Sequence, residues 1–161
     1  MGVSMKLTKV KASTEIDKPI SDVFSYASDW KHWEEWRVGA YDIKPTTEND
    51  RGNNTRYAYQ ARVAGMKFNL ETEIHYFKEN SGWQGIVRKG LPHKMQWTFE
   101  NKVNTTKVNY TIEFGTPWFI IGPLLDFFIL KPNWQRMIEK SLNKLKNHLE
   151  NPLGEKNQEI T

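Results

Sequence analysis

Pro117-Trp118-Phe119-Ile120-Ile121-Gly122-Pro123-Leu124-Leu125-Asp126-Phe127-Phe128-Ile129-Leu130 is a nearly unbroken apolar run. Beyond Lys131-Pro132 it gives way to an amphipathic segment that ends Leu145-Lys146-Asn147-His148-Leu149-Glu150. The chain upstream reads as strands with one apolar face each. Such faces need a large cover, and this segment is the only one long enough to supply it. Proline costs a helix interior roughly 3 kcal/mol or more, so a bend or break is expected at Pro132. Trp118 to Leu130 is then a lid, or portal, over the sheet. Asn133 to Glu150 is the anchored helix, with Met137 or Ile138, Leu142, Leu145 and Leu149 toward the sheet.

Outward from that segment, period-2 alternation marks the strands. Val10, Ala12, Thr14 and Ile16 share a face over Lys6 to Ile16. Asp17-Lys18-Pro19 stops that strand, and Ser21 suits a helix N-cap ahead of Val23, Phe24 and Ala27. Trp30, Trp33 and Trp36 come next at spacings of three, along one side of a second short helix. Ala40 to Thr47 is a weaker strand. Tyr57, Tyr59, Ala61 and Val63 alternate with Arg56, Ala58, Gln60 and Arg62. Phe68, Leu70, Thr72, Ile74 and Tyr76 are expected to face in, against Asn69, Glu71, Glu73 and His75. After the turn at Glu79-Asn80-Ser81-Gly82 come Trp83 to Arg88, then the row Met95, Trp97, Phe99, and then Val108, Tyr110, Ile112, Phe114. The turns between them are short, so neighbouring strands are expected to be antiparallel.

The 161 residues fit a single domain over 1–150 with a polar tail over 151–161. With 7 Trp, 6 Tyr and 8 Phe the chain has ample material for a core. There is no cysteine, which removes disulfides, thiolate nucleophiles and Cys-based metal sites. Met1 to Ser13 lacks the apolar core of a secretory signal, so a reducing cytoplasm is the expected location. The net charge of +4 is spread along the chain and does not point to nucleic acid. Arg56-Tyr57-Ala58-Tyr59-Gln60-Ala61-Arg62 interleaves basic and aromatic residues, but alternation sends them to opposite faces, and no RNA-binding pattern is matched. His32, His75, His93 and His148 are scattered without metal-ligand spacing and read as surface residues. No metal and no cofactor are expected, and no hydrolase elbow, phosphate loop or dinucleotide fingerprint occurs.

This order and its residues resemble the START-like superfamily, also called the helix-grip or birch-pollen-allergen-like fold. Within it the chain looks most like the polyketide cyclase/dehydrase and lipid-transport group. Ile16-Asp17-Lys18-Pro19-Ile20-Ser21-Asp22-Val23-Phe24 is similar to that group's opening, and Asp29 with Trp33 and Trp36 to its next conserved-looking segment. Leu142-Asn143-Lys144-Leu145-Lys146-Asn147-His148-Leu149-Glu150 is similar to its close. The resemblance implies an α+β helix-grip fold: a curved antiparallel sheet of six or seven strands around a long C-terminal helix, with two short helices after the first strand. It implies no shared catalytic motif.

It also implies a ligand cavity between sheet and helix. The expected lining is Tyr57, Tyr59, Phe68, Leu70, Thr72, Ile74, Tyr76, Trp83, Trp97, Phe99, Tyr110, Ile112 and Phe114, joined by Trp118, Leu125 and Phe128 from the lid. The competing reading is a solid core, and a one-residue slip in register would turn any of these rows outward. Asp126 reads as a residue on the wet side of its segment rather than as a pocket acid. The lid run reads as packed over the sheet, with transient contact at a membrane surface as the other reading. Three functions are therefore carried forward. The first is a non-enzymatic binder or carrier of a hydrophobic small molecule such as a lipid, quinone, polyketide or isoprenoid. The others are a cyclase or dehydratase acting on an aromatic or polyketide-like substrate, and a protein-interaction module.

Overall fold

The structure, a computed structural model, describes residues 6–63, 65–116 and 130–152. The expected lid, with Trp118, Leu125, Asp126 and Phe128, lies outside the described residues.

The chain begins with β1 (Lys6–Ile16). Next come α1 (Ile20–Ser28), a single 3-10 turn (Trp30–His32) and α2 (Trp33–Trp36). Six more strands succeed them: β2 (Ala40–Pro45), β3 (Arg56–Val63), β4 (Met66–Lys78), β5 (Gly82–Lys89), β6 (His93–Asn101) and β7 (Thr106–Thr116). The helix α3 (Lys131–Glu150) closes the order. The strands form one seven-stranded antiparallel sheet, β1-β7-β6-β5-β4-β3-β2. This is the expected helix-grip architecture.

Local chemistry sets the boundaries. Pro19 precedes α1 and supplies its entry geometry; Ser21 lies inside the first turn, so the expected cap at Ser21 is not formed. The Asp29 side chain accepts from the Lys31 N–H at 3.1 Å and starts the 3-10 turn. Pro132 sits in the first turn of α3, where its missing N–H removes no helical bond. Gly82 has φ +151, and an added Cβ would lie 2.1 Å from the Trp97 carbonyl oxygen. Only glycine lets β5 begin that close to β6.

One row departs from expectation. Tyr76 has φ +52 and is 77% exposed, and the β4–β5 register shifts between His75 and Lys78. The bulge consumes one residue and reverses the side-chain parity. Tyr76 therefore points out, and Phe77 turns in to meet Phe24 and Trp83, with ring centroids 5.6 and 6.3 Å away. Glu73 does lie on the outer face, but it is buried there, 2.7 Å from Arg56 Nε, 3.0 Å from Arg88 Nη2 and 2.7 Å from His75 Nε2. Arg88, and then Arg56, hold its carboxyl below the usual range.

The core occupies the concave side. Trp134, Ile138, Ser141, Leu142 and Leu145 of α3 are buried, and Met137 and Leu149 are half-buried. Polar ties fix the helix along β1 and α2. Gln135 Nε2 donates to the Lys11 carbonyl at 3.0 Å, Glu150 Oε1 accepts from the Asp17 N–H at 2.7 Å, and His148 Nε2 lies 3.0 Å from the Glu35 carbonyl. Leu142 is 1% exposed, so Leu142→Ala is expected to lower the unfolding free energy by about 2–5 kcal/mol. Lys140→Ala on the exposed side should change it by no more than about 0.5 kcal/mol. Urea denaturation of both variants measures the difference.

Candidate functional site

Among the described residues the space on the concave side of the sheet, under α2 and α3, is divided rather than continuous. A cavity of about 30 Å³ is lined by Arg37, Val38, Gly39, Ala40, Tyr59, Ala61, Val63, Leu70, His93, Met95, Tyr110, Ile112, Trp134, Met137 and Ser141. A second void of about 10 Å³ lies against Trp33, Trp36, Arg37, Tyr57, Tyr59, Thr72, Ile74, Trp83, Gly85, Met95 and Trp97. A third, also about 10 Å³, adjoins Ser28, Trp33, Gly52, Tyr57, Ile74, Phe77 and Trp83. Arg37, Tyr59 and Met95 stand between the first and second voids; Trp33, Tyr57, Ile74 and Trp83 stand between the second and third. Gly85 helps to keep the second one open, since an added Cβ would lie 2.9 Å from Thr72 Cγ2 and 3.2 Å from Met95 Cε.

Of the expected lining, Tyr57, Tyr59, Leu70, Thr72, Ile74, Trp83, Trp97, Tyr110 and Ile112 reach these voids. Phe99 and Phe114 are buried in the core around them, and Phe68 is half-buried. Tyr76 is excluded by the bulge. Trp118, Leu125 and Phe128 lie outside the described residues.

The polar groups of the site come mostly from positions that strand alternation does not flag. Arg37 ends α2. Its guanidinium carbon lies 4.8 Å from the Trp33 ring centre and 5.5 Å from that of Tyr59, and Nη2 is 3.5 Å from Met95 Sδ. The charge of the same group acts on the Tyr110 hydroxyl, opposing the upward push of burial there. No carboxylate among the described residues pairs with it or lines either void it borders. Tyr110 stacks on Trp97 with centroids 3.4 Å apart, and burial pushes its hydroxyl up to about 12. Tyr59 Oη and Thr72 Oγ1 share a hydrogen bond of 3.0 Å. Ser141 Oγ accepts from the Val38 N–H at 3.0 Å and donates to the Met137 carbonyl at 2.7 Å.

His93 corrects the reading of all four histidines as surface residues. Its ring meets Trp134 edge-on, 4.6 Å between centroids, and it lines the first of these voids. Nδ1 lies 2.8 Å from the Leu91 carbonyl. A carbonyl only accepts, so Nδ1 carries the proton and Nε2 is left as an acceptor. Burial holds the imidazole pKa down at about 4; the Leu91 bond pulls upward, and the Arg37 charge adds to the depression. Trp36 Nε1 and Trp134 Nε1 are buried with no hydrogen-bond partner. Among the described residues no cluster of three or more His, Asp or Glu side chains could hold a metal, and no helix is long and apolar enough to cross a membrane.

A family model described as polyketide cyclase/dehydrase and lipid transport matches residues 8–150. No curated protein matches the chain. Similar solved structures include TTHA0849 from Thermus thermophilus, at 21% identity over 91% of this chain and 100% of that one, with a TM-score of 0.76. The ZhuI aromatase/cyclase from Streptomyces sp. R1128 is 11% identical over 94% and 99%, with a TM-score of 0.75. A START superfamily protein from Mycobacterium smegmatis is 14% identical over 88% and 97%, with a TM-score of 0.72. At these identities the structural likeness speaks to the fold alone.

The buried imidazole gives a pH signature. Unfolded His93 takes up a proton below about 6.5 and the folded one only below about 4. Between those values the unfolded chain binds more protons, so stability is full above 6.5 and falls as the pH drops toward 4. The expected loss is on the order of 2 kcal/mol, since one pKa unit corresponds to about 1.4 kcal/mol and the ring keeps some exposure. Glu35, Glu73 and Glu150, with lowered values, weaken the fold only as the pH falls below 4.5. Denaturant midpoints of the wild type and His93→Phe between pH 4.5 and 6.5 separate the two effects, and the variant should show the shallower slope.

Proposed function

Because the chain belongs to the polyketide cyclase/dehydrase and lipid-transport family, we propose that it binds a hydrophobic small molecule between the sheet and α3 as a carrier or sequestering protein. The observation that carries this reading is the chain of apolar voids along the concave side of the sheet, the first roofed by α3 and the second walled by α2, with aromatic rings and a few convergent polar groups around them. That composition is typical of ligand pockets: mostly apolar, with a small number of placed polar atoms.

The volumes add a condition. A site for a lipid-sized ligand needs roughly 300 Å³ or more, and the largest of these voids is about 30 Å³. Binding therefore requires the voids to merge and the walls around them to move apart, since even together they are several-fold too small. The partition between the first two is suited to this. Arg37 and Met95 are unbranched side chains with several rotatable bonds, and Met137 on the α3 wall is another. Methionine repacks around irregular shapes at low cost.

Two of the lining groups with shifted pKa values are suited to holding a ligand by hydrogen bonds. A general acid or base works best with a pKa near the operating pH. Tyr110 is pushed to about 12 and His93 to about 4, so both move away from neutrality. Both stay in their uncharged forms in neutral solution, suited to hydrogen bonding rather than proton exchange. Ligand presentation to another protein or to a membrane surface is compatible with a carrier of this kind.

Native mass spectrometry and tryptophan fluorescence with a panel of fatty acids, quinones and aromatic polyketides test the proposal. One ligand per chain is expected. Ala61 lines the first void and is 7% exposed. Ala61→Leu should reduce ligand affinity at least about tenfold while costing the fold roughly 1–3 kcal/mol or less from overpacking. Unchanged affinity in that variant would place the ligand elsewhere.

A further inference from the structure

Resting on the reading of the interior as a ligand site, we infer that Arg37 is an anion-recognition residue and that the ligand is an apolar molecule carrying one compact anionic oxygen group, a carboxylate in the simplest case.

The inventory of polar atoms around the two adjoining voids supports this. Arg37 borders both of them. The residues lining the two include no Asp or Glu among those described, so among these residues the permanent cation faces the space without a counterion. Its neighbours are the Trp33 and Tyr59 ring faces, the Met95 sulfur and the Tyr110 hydroxyl, which are weak or neutral partners. A guanidinium offers five N–H donors, and these contacts use few of them.

A second, independent observation points the same way. Trp134 Nε1 and Trp36 Nε1 are buried donors without partners, in residues 1% and 0% exposed. Trp134 lines the first void and Trp36 the second, so they flank Arg37 through the cavities it borders. Buried donors are normally satisfied. Among the described residues the one acceptor left open on these walls is His93 Nε2, a single neutral nitrogen against the Arg37 fork and two indole N–H groups, so donors are in excess. Ser141 is unavailable, since its hydroxyl is already engaged with Val38 and Met137. A hydroxyl or ketone could satisfy one donor. A carboxylate presents two oxygens to the guanidinium fork and neutralises its charge in a water-poor setting, where charge-assisted bonds are strongest. The rest of the wall is apolar and takes the rest of the molecule.

Two matched pairs of probes decide the matter: dodecanoate against dodecanol, and 2-naphthoate against 2-naphthol, titrated near neutral pH by tryptophan fluorescence. In the wild type each carboxylate is expected to bind at least about tenfold tighter than its neutral partner, a difference of about 1.4 kcal/mol. Arg37→Gln should erase that preference, so that each carboxylate binds no tighter than its neutral partner in the same variant, and far-UV circular dichroism of the variant should match the wild type. Arg37→Lys, which keeps the charge but loses the planar fork, should retain part of the preference. Equal binding of the two members of each pair by the wild type would overturn the inference and leave the hydrophobic-ligand reading intact. A preference that survives in Arg37→Gln would also overturn it. Failure of all four probes to bind would overturn both.

Discussion

The apolar stripe of α3 against the concave sheet is the contact on which the rest of the structure depends. Trp134, Ile138, Leu142 and Leu145 repeat at helical spacing and are almost fully removed from water. Without them the inward rows of β3, β6 and β7 would face solvent on an open antiparallel sheet. Such a sheet has no intrinsic way to hide one face. The stripe also sets where the voids can be, because Trp134, Met137 and Ser141 form the roof of the first one. Stability and ligand space are thus governed by the same turns of one helix. A substitution that improves packing there would be expected to shrink the site.

Inside that frame the interior has two textures. Around Phe24, Phe77, Trp83, Phe99 and Trp97 the rings meet edge-on or stacked with centroids 5.0 to 6.3 Å apart, and the voids they border are only about 10 Å³ each. Around Arg37 the packing is looser and uses flexible side chains, small residues such as Gly39, Ala40 and Ala61, and unpaired donors. A guanidinium over an aromatic face gains about 0.5–2 kcal/mol, enough to park the side chain and too little to match a true counterion. The proposed ligand site and the solid core are two ends of one interior.

The fold is readable from sequence because its signals are local. Alternation in Tyr57 to Val63 and Val108 to Phe114, the Pro19 break and the heptad-like spacing from Ile138 to Leu145 each depend on neighbours a few residues away. The site is less readable. Tyr76 continues the alternation in sequence, and only an αL conformation that tyrosine rarely adopts reverses it. Arg37 comes after a tryptophan-rich turn and looks like a solvated charge until α2 is placed against β3 and β6. His93 is hidden by Trp134, 41 residues later in the chain, and the aliphatic stripe of α3 does not flag Trp134 itself. These positions are defined by contacts between distant elements, and no periodicity encodes those.

The pairing of β1 with β7 has a consequence for how the chain comes together. From β3 through β7 each strand pairs with its sequence neighbour, so those hairpins close over short loops. β1 instead pairs with β7 from Lys6↔Thr116 to Ile16↔Thr106, across nearly the whole domain. α3 then fastens to β1 through Gln135 and Lys146. Long-range closures are entropically slow and come after the local ones reward them. During synthesis the first strand must therefore wait, unpaired, until β7 has emerged, and its anchoring helix later still. The outward charges Lys9, Lys11 and Glu15 on β1 suit that interval, since a charged strand resists pairing with other chains. β1 is thus made long before the elements that secure it.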